Sequence, residues 1–417
     1  MPDVPLDVGI IASLKRLGVP SMWVRWPGLD FVDSMVSQKV ENLRRDVFTA
    51  LKQDFEACQA ITVGVAHYMR YRGLVCQLII ELLRQDQSGC GVQTAGLFDR
   101  GQGLFSHCAN VTYLSLTLGL RIEDYIVRER RWAARNIARD LTNLGIGAML
   151  HDIGKLDAPP PPGPEGNSTE QTWKAYLQHP YRGYEMIRDR VSATARSVVL
   201  HHHQRFDGLG FPDMATVTDG RRHGPLRGRH IHVFARIAGL CDMVEHLCHD
   251  KDDNPRPPVA ALHDILAPEM IVRFDPVILR GLLIHLPPFT LGSRVTLSDG
   301  GQCAVIAISR LDPCRPTVRR LDCKDPATRD IDLAKHPKLH IRSHLGINVE
   351  PWLFEVPASI AHLRRIVPAD ETPDEPIDEQ EDQPEDQPAD EAPANPEATE
   401  PIDAPQERND PAGAGQN

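Results

Sequence analysis

The sequence lacks the apolar segments that a membrane or secreted protein requires. No stretch reaches the roughly 18 consecutive apolar residues that indicate a membrane-spanning helix. The first residues, MPDVPLDVG, are acidic and contain no apolar segment, so we expect no secretory signal peptide. The nine cysteines are scattered and include no CxxC pair. An odd number of cysteines without regular spacing indicates reduced thiols, and we therefore expect a cytoplasmic protein.

Charge is distributed unevenly along the 417 residues, which carry a formal net charge of −11. The segment from Asp370 to Asn417 contains 17 acidic residues and one basic residue, a net charge of −16. The other 369 residues contain 45 basic and 40 acidic residues, a net charge of +5. This mildly basic body suits an anionic small ligand but does not require a nucleic-acid polymer as partner.

Pattern and composition predict a mainly α-helical protein in four parts. Residues 1–95 are expected to form an N-terminal helical module for regulation or interaction, which could mediate a homodimer or bind a signalling partner. Residues 96–286 are expected to form a helical bundle, and residues 287–366 a small β-rich module. Residues 367–417 contain too few large apolar residues to fold, and we expect a disordered acidic tail rich in proline.

Apolar periodicity locates the helices and one hairpin. Helices are predicted at 34–59, 61–85, 104–120, 124–150, 170–190, 193–200, 235–248 and 259–285. After residue 287, two strand-like runs flank Asp299-Gly300-Gly301, which predicts a β-hairpin.

The helical middle of the chain contains histidines and carboxylates that suit a transition metal. HDIGK occupies 151–155, followed by His179, by His201–His203 and by Asp242, while His107 lies upstream on an apolar helical face. Facing helices of a bundle can bring such side chains into one core. The set is too large for one metal ion and suits a pair, which can activate water and neutralise a phosphate.

A simpler interpretation exists for each residue taken alone. A single buried histidine is more often a hydrogen-bonded core residue than a metal ligand, and His201–His203 alone could be a solvated turn. The HDIGK segment favours the metal interpretation, because adjacent His151 and Asp152 with a nearby Lys155 have no evident packing purpose. Lys155 could contact a phosphate as a point charge.

The order of these motifs resembles the HD-GYP family, HD-domain phosphohydrolases that cleave the bacterial second messenger cyclic di-GMP. The resemblance covers about residues 96–286 and rests on HDIGK, His179-Pro180, HHQRFDGLGFP at 202–212 and Asp242. It implies two divalent metal ions, iron or manganese, with Asp152 as a bridging ligand. The implied metal ligands are His107, His151, Asp152, His179, His202, His203 and Asp242. Catalytic roles fall on Asp152 and Lys155, and substrate contacts on Lys155, Lys251, Gly210, Phe211 and Pro212.

The chain departs from the family pattern at several positions. Gln204 replaces a glutamate, Phe211 replaces a tyrosine, and Glu245-His246-Leu247 replaces Asp-Ala-Leu. Lys251 stands near the place of a family arginine, and Asp253 occupies an aromatic position. Some members bind a third metal through an acidic residue one turn before the first histidine. That position is Gly103, so we expect two metals.

Three functions are compatible with this pattern. The leading hypothesis is a metal-dependent phosphodiesterase that hydrolyses cyclic di-GMP to pGpG, with further cleavage to GMP left open. The second is a catalytically weak domain that senses cyclic di-GMP or binds a protein partner, which the altered Gln204, Phe211 and Asp253 would favour. The third is a phosphohydrolase that acts on another nucleotide.

Overall fold

The structure is a computed structural model. It describes residues 5–16, 29, 37–56, 64–87, 103–158, 170–212, 226–250, 254–309, 312–323, 325 and 329–361. Within these ranges the predicted fold is confirmed: a mainly α-helical body with a small C-terminal antiparallel sheet. The predicted acidic tail, Lys251 and Asp253 lie outside the described residues. None of the described helices combines the length and apolar character needed to cross a membrane.

The helices follow the apolar periodicity of the sequence. In chain order they are α1 (Val8–Arg16), α2 (Gln38–Glu56), α3 (Val65–Gln87), α4 (Leu104–Arg121), α5 (Glu123–Glu129), α6 (Arg135–Arg139), α7 (Thr142–Leu150), α8 (Glu170–Tyr176), α9 (His179–Ile187), α10 (Ala193–His201), α11 (Val233–Leu247), α12 (Pro258–Ile265), α13 (Pro268–Ile271), α14 (Pro276–His285) and α15 (Ala358–Ala361). A short 3₁₀ helix, Ile153–Leu156, follows α7.

Three helices predicted from the pattern are wrong as single helices: 170–190 is divided into α8 and α9, and 124–150 and 259–285 are each divided into three. The segment 124–150 contains α5, α6 and α7. At the end of α5, the Arg130 guanidinium donates to the carbonyls of Ile137 and Ala138 in α6. The segment 259–285 contains α12, α13 and α14, each of which begins with a proline. Proline is favourable in a first helical turn, where its missing N–H needs no partner, and it interrupts a continuous helix.

The helical core is built around α4 and α7. Helices α10 and α11 pack on this pair from one side, and α2 and α3 pack on it as well. One continuous apolar cluster therefore includes residues from the N-terminal helices and from the helices that carry the predicted metal ligands. Its fully buried members include Val40, Val75, Leu116, Ile146, Val198 and Ile237. The helices that bear ligands are thus held rigidly at their apolar faces.

The sheet contains β1 (Arg294–Leu297), β2 (Gln302–Ala307), β3 (Thr317–Arg320), β4 (Asp330–Asp332), β5 (Ile341–His344) and β6 (Ile347–Asn348). Its strand order is β4-β3-β2-β1-β5-β6, with antiparallel pairing throughout. The predicted hairpin at Asp299-Gly300-Gly301 is confirmed, since Val295 of β1 pairs with Cys303 of β2. The sheet has its own apolar cluster, which also contains Val259 of α12.

Candidate metal centre

The seven predicted ligands come together where several helices begin or end. His107 lies in the first turn of α4, and Asp242 lies on α11. The other five lie at helix ends: His151 and Asp152 directly follow α7, His179 begins α9, and His202 and His203 directly follow α10. His201, the last residue of α10, instead faces Ser197, with 3.1 Å between Nδ1 and Oγ.

Asp152 lies at the middle of this arrangement and faces histidines on both sides. Its Oδ1 is 3.2 Å from Nε2 of His179 and 3.6 Å from Nε2 of His202. Its Oδ2 is 3.4 Å from Nε2 of both His107 and His151. Helix α7 ends at Leu150, and Asp152 lies in the turn that leads into the 3₁₀ helix.

The ligand atoms form two groups that share Asp152. The first group is His107, His151, Asp152 and Asp242, and the second group is Asp152, His179, His202 and His203. Within each group, one nitrogen or carboxylate oxygen per residue lies within 4.8 Å of the others, a geometry that could hold a metal ion. The first group contains two carboxylates and two imidazoles, and the second contains one carboxylate and three imidazoles.

Gly154 explains part of the HDIGK spacing. A Cβ atom at this position would lie 2.0 Å from the carbonyl oxygen of His179 and 2.5 Å from the amide nitrogen of Gly183. Any side chain would therefore push α9 away from the 3₁₀ helix. The close contact between these two backbones brings His179 to Asp152.

Backbone carbonyls fix the tautomers of three histidines. Nδ1 of His151 donates to the carbonyl of Ala148 at 2.7 Å, and Nδ1 of His202 donates to that of Val199 at 2.8 Å. Nδ1 of His179 donates to the carbonyl of Tyr176 at 3.0 Å. Because a carbonyl only accepts, each Nδ1 must carry the proton. In a neutral ring the Nε2 lone pair is then available to a metal. Burial lowers the pKa of His151, but Asp152 outweighs this and raises it well above its usual value, so a metal must displace a proton from this imidazole.

A fourth histidine, His107, is held by the carboxylate of Glu245. In the sequence, Glu245 stands out only as a departure from the family pattern. Oε2 of Glu245 is 2.5 Å from Nδ1 of His107, and Oε1 accepts a hydrogen bond from Asn110 Nδ2 at 3.0 Å. Glu245 and Asn110 are both buried. Spacing could have revealed this contact, because His107 and Asn110, like Asp242 and Glu245, are three residues apart on a helix and share a face.

The protonation states of the second group favour ligation. Burial lowers the pKa of His202 to about 4, and burial with the neighbouring His202 holds the pKa of His203 well below its usual value. Both imidazoles are therefore neutral near pH 7, the form that binds metal. Burial raises the pKa of Asp152, but His151 and Lys155 outweigh this and hold the pKa well below its usual value.

Lys155 lies on the 3₁₀ helix and forms an ion pair with Oδ2 of Asp152. Burial lowers the pKa of Lys155, but the attraction of Asp152 and Asp242 is greater and raises it above its usual value. Its ammonium group is therefore charged. The side chain remains about 25% exposed, so a ligand from solvent can reach it.

Buried polar atoms without hydrogen-bond partners indicate whether the two groups fit a metal ion. Asp152 Oδ1, His179 Nε2 and His202 Nε2 are buried and have no hydrogen-bond partner within the described part of the chain. Buried polar atoms without partners are rare because they cost free energy. The two nitrogens lie 3.2 Å and 3.6 Å from Asp152 Oδ1. A divalent cation would satisfy all three, so the residues fit a His/carboxylate metal site.

The loop that carries the altered family positions lies over the second group. The Phe211 ring stacks on His203 with 4.4 Å between ring centres. The Gln204 amide donates to the carbonyl of Pro212 at 2.7 Å. Gln204 therefore holds the Gly210-Phe211-Pro212 turn, and no hydrogen bond joins it to an imidazole of the two groups among the described residues.

A cavity of about 200 Å³ adjoins the second group beneath this loop. Its lining includes His202, His203 and Asp242 together with aromatic and cationic side chains, namely Phe206, Phe211, Phe274, Arg205 and Arg273. An apolar cavity beside convergent polar groups is typical of a small-molecule site. Its volume is at the low end for a whole ligand, so it would hold a part of one.

Sequence comparison relates this helical region to a known protein family. Residues 104–247 match the family model described as HD domain. HD domains bind divalent metals, in agreement with the fit of the two groups. The expected resemblance to the HD-GYP phosphohydrolases is confirmed at this level.

Three known proteins are similar to parts of this chain. The chain is 28% identical over 201 residues to cyclic di-GMP phosphodiesterase PA4108 of Pseudomonas aeruginosa, covering 47% of this chain and 42% of that protein. It is 31% identical over 109 residues to the cyclic di-GMP phosphodiesterase response regulator RpfG of Xanthomonas campestris pv. campestris, covering 24% and 25%. A solved structure of Bd1817, described as an HDG"Y"P protein from Bdellovibrio bacteriovorus, matches with a TM-score of 0.39 and 12% identity, covering 60% of this chain and 74% of that one. The matches span less than half the length of these two curated relatives.

Proposed function

We propose that this protein is a metal-dependent phosphodiesterase that hydrolyses cyclic di-GMP to pGpG, with further cleavage to GMP as a second step. The observation that carries the proposal is the position of Asp152, whose two oxygens face different sets of imidazoles. Two relatives whose names state this activity support the choice of substrate.

Two divalent ions, iron or manganese, are the proposed cofactors, one in each group. When bound, such a pair neutralises phosphate charge and lowers the pKa of water at the phosphorus. The chain itself supplies His107, His151, Asp152, His179, His202, His203 and Asp242 as ligands. Three backbone carbonyls and Glu245 orient four of the imidazoles. This pre-formed geometry means that little reorganisation is needed when metal binds.

Lys155 is the proposed catalytic cation of the chain. It lies beside Asp152, is charged and is partly exposed, so its ammonium can bind a phosphate oxygen on which negative charge increases during the reaction. Gly210, Phe211 and Pro212 are proposed to contact the substrate at the rim of the centre, where Phe211 covers His203. Lys251 is a further proposed phosphate contact by sequence alone.

We place this activity in bacterial signalling, in the cytoplasm, under the control of the N-terminal helices. Apart from Cys323, the cysteines that the structure describes are free thiols, which is consistent with a reducing compartment. Control by residues 1–95 is physically reasonable because α3 packs against α7, the helix that leads into His151. A homodimer or a signalling partner bound to these helices would then act on the same core.

The test is turnover of cyclic di-GMP by protein reconstituted anaerobically with iron or manganese, with metal content measured on the same sample. We expect pGpG as the first product in chromatography, and loss of turnover when a chelator removes the metal. Bound metal without turnover of any nucleotide would favour the sensor hypothesis. Turnover of a different nucleotide alone would favour the third hypothesis.

A further inference from the structure

Helix α3 has a second apolar face that points away from the core. Its buried face contains Tyr71, Val75, Leu78 and Leu82. The outer stripe, as we name it, is Met69, Gly73, Cys76, Ile80 and Leu83. Cys76 lies at its edge and is half-buried, with 3.8 Å between its Sγ and Oγ1 of Thr142 on α7. Met69, Ile80 and Leu83 are 55%, 50% and 46% exposed, so within the described residues this face is largely uncovered. Exposed apolar rows of this kind commonly mark interaction surfaces.

The spacing within the outer stripe is 4, 3, 4 and 3 residues. This is the heptad spacing by which one helix packs along another, and the stripe extends over about four turns. A globular ligand or a strand requires no such spacing. The natural partner of a straight heptad stripe is a second helix that carries a similar stripe.

Gly73 gives an independent indication of a close partner. Glycine inside a helix costs about 1 kcal/mol relative to alanine. Nothing lies within 4 Å of a Cβ atom built at Gly73, so the packing of this chain does not require the glycine. By contrast, a Cβ at Gly145 of α7 would lie 2.5 Å from Val75 of α3, so that glycine is needed inside the core. An approaching helix would explain a small residue at Gly73.

The sizes of the side chains specify the direction of that helix. The small residues Gly73 and Cys76 lie in the N-terminal half of the outer stripe, and Ile80 and Leu83 lie in the C-terminal half. Parallel pairing of two copies would place small against small and leave voids. Antiparallel pairing places Gly73 opposite Leu83 and Cys76 opposite Ile80, which fills the seam evenly.

We infer that the outer stripe is a homodimer interface, in which α3 of one copy packs antiparallel on α3 of a second copy. Two of the flanking arginines are paired within the chain, whereas exposed Arg72 lies opposite Arg84 of the second copy in this register and weakens the contact. Arg70 forms an ion pair with Asp54, and Arg84 forms one with Glu81 at 3.3 Å. A seam of five residues is smaller than a standard interface, so a dissociation constant on the order of micromolar is expected.

The dimer would be coupled to the metal centre through α3 itself. Helix α3 contacts α7 through Val75 and Gly145, and also through Cys76 at the edge of the outer stripe. His151 and Asp152 follow α7 directly. The interface does not depend on the proposed phosphodiesterase activity, and its test needs no substrate.

The experiment is sedimentation velocity of the full chain over about two decades of concentration around the micromolar range. We expect a monomer–dimer equilibrium that Ile80→Glu shifts to monomer, with at least about a tenfold rise in dissociation constant. The control is Ile137→Glu, which changes a residue that is 53% exposed on α6 and off the stripe. Thermal unfolding verifies that both variants remain folded.

A cross-link tests the direction without a charged substitution. Ile80→Cys should form a disulfide with Cys76 of the second copy on mild oxidation, identified by mass spectrometry of the linked peptides. The same change combined with Cys76→Ser should not form it. A wild type that stays monomeric throughout, for instance because α1 of the same chain covers the stripe, would overturn the inference. So would a dimer that Ile80→Glu leaves intact, or a Cys76–Cys76 link in the wild type.

Discussion

Glu245 binds His107 through a 2.5 Å contact between Oε2 and Nδ1. At the same ring nitrogen, His151, His179 and His202 have only a backbone carbonyl as partner. A carboxylate in this position makes the imidazole a stronger donor to metal and fixes its orientation. The other Glu245 oxygen is held by Asn110 at 3.0 Å, so the carboxylate cannot turn away. The two metal groups are therefore unequal in their surroundings.

Glu245→Gln should weaken metal binding in the first group by roughly 10- to 100-fold. A neutral amide cannot accept hydrogen bonds from both His107 and Asn110, so one of these contacts is lost. Chelator competition with elemental analysis measures the two ions separately, and the ion of the second group should be retained. Unchanged affinity for both ions would show that Glu245 only fills space. Glu245→Asp, which keeps the charge, should recover part of the affinity.

Asp152→Ala should affect both ions, whereas Asp242→Ala should affect only one. Asp152 belongs to both groups and Asp242 to the first alone. Elemental analysis of reconstituted protein should fall from about two ions per chain to well below one for Asp152→Ala. For Asp242→Ala about one ion should remain. Equal losses in the two variants would contradict the shared position of Asp152.

The sequence was sufficient to predict which residues gather in the two groups, but not the partners that orient them. HDIGK and the paired His202 and His203 combine rare residue types in an order that few packing needs would produce. Glu245 is an ordinary charged residue in the sequence, and its role appears only when α11 packs against α4. Breaks in long helices were missed for a related reason, because apolar periodicity continues across the short turns at Arg130 and at Pro268.

Lys155→Ala should keep both ions and lose turnover. The lysine is no member of either group, so metal content should stay near that of the wild type. Loss of a contact that strengthens as charge develops should lower kcat by about 10²- to 10³-fold with little change in KM. Lys155→Arg keeps the charge and should be less impaired. Loss of metal from Lys155→Ala would instead assign the lysine a structural role through its ion pair with Asp152.

Gln204→Glu should not raise activity. From adjacency alone, a glutamate at this position would be expected to strengthen an imidazole ligand, but Gln204 donates to the carbonyl of Pro212. A carboxylate cannot donate there, so the variant should lose about 1 kcal/mol of local stability and gain no contact to metal. Turnover per bound metal pair, measured for both proteins, decides the matter. A clear gain in the variant would mean that residue 204 acts on the ligands.

His344 should make the β-rich module sensitive to acid. Its side chain lies in the sheet, is 4% exposed and meets the Phe289 ring edge-on at 5.5 Å between ring centres. Its Nδ1 has no hydrogen-bond partner among the described residues, and burial lowers the pKa to about 4, against an ordinary value of 6.5. The unfolded chain therefore binds a proton more readily than the folded one between these two values.

A depressed histidine pKa stabilises the fold fully above pH 6.5 and progressively less as the pH falls toward 4. The loss across this window should be on the order of 3 kcal/mol. His344→Gln does not titrate, so wild type and variant should diverge as the pH falls. Hydrogen exchange of the β1 and β5 amides, compared at equal pH, measures this locally, with exposed His336→Gln as the control. If the wild type and His344→Gln lose protection equally between pH 7 and 4, the imidazole of His344 is not the group that titrates.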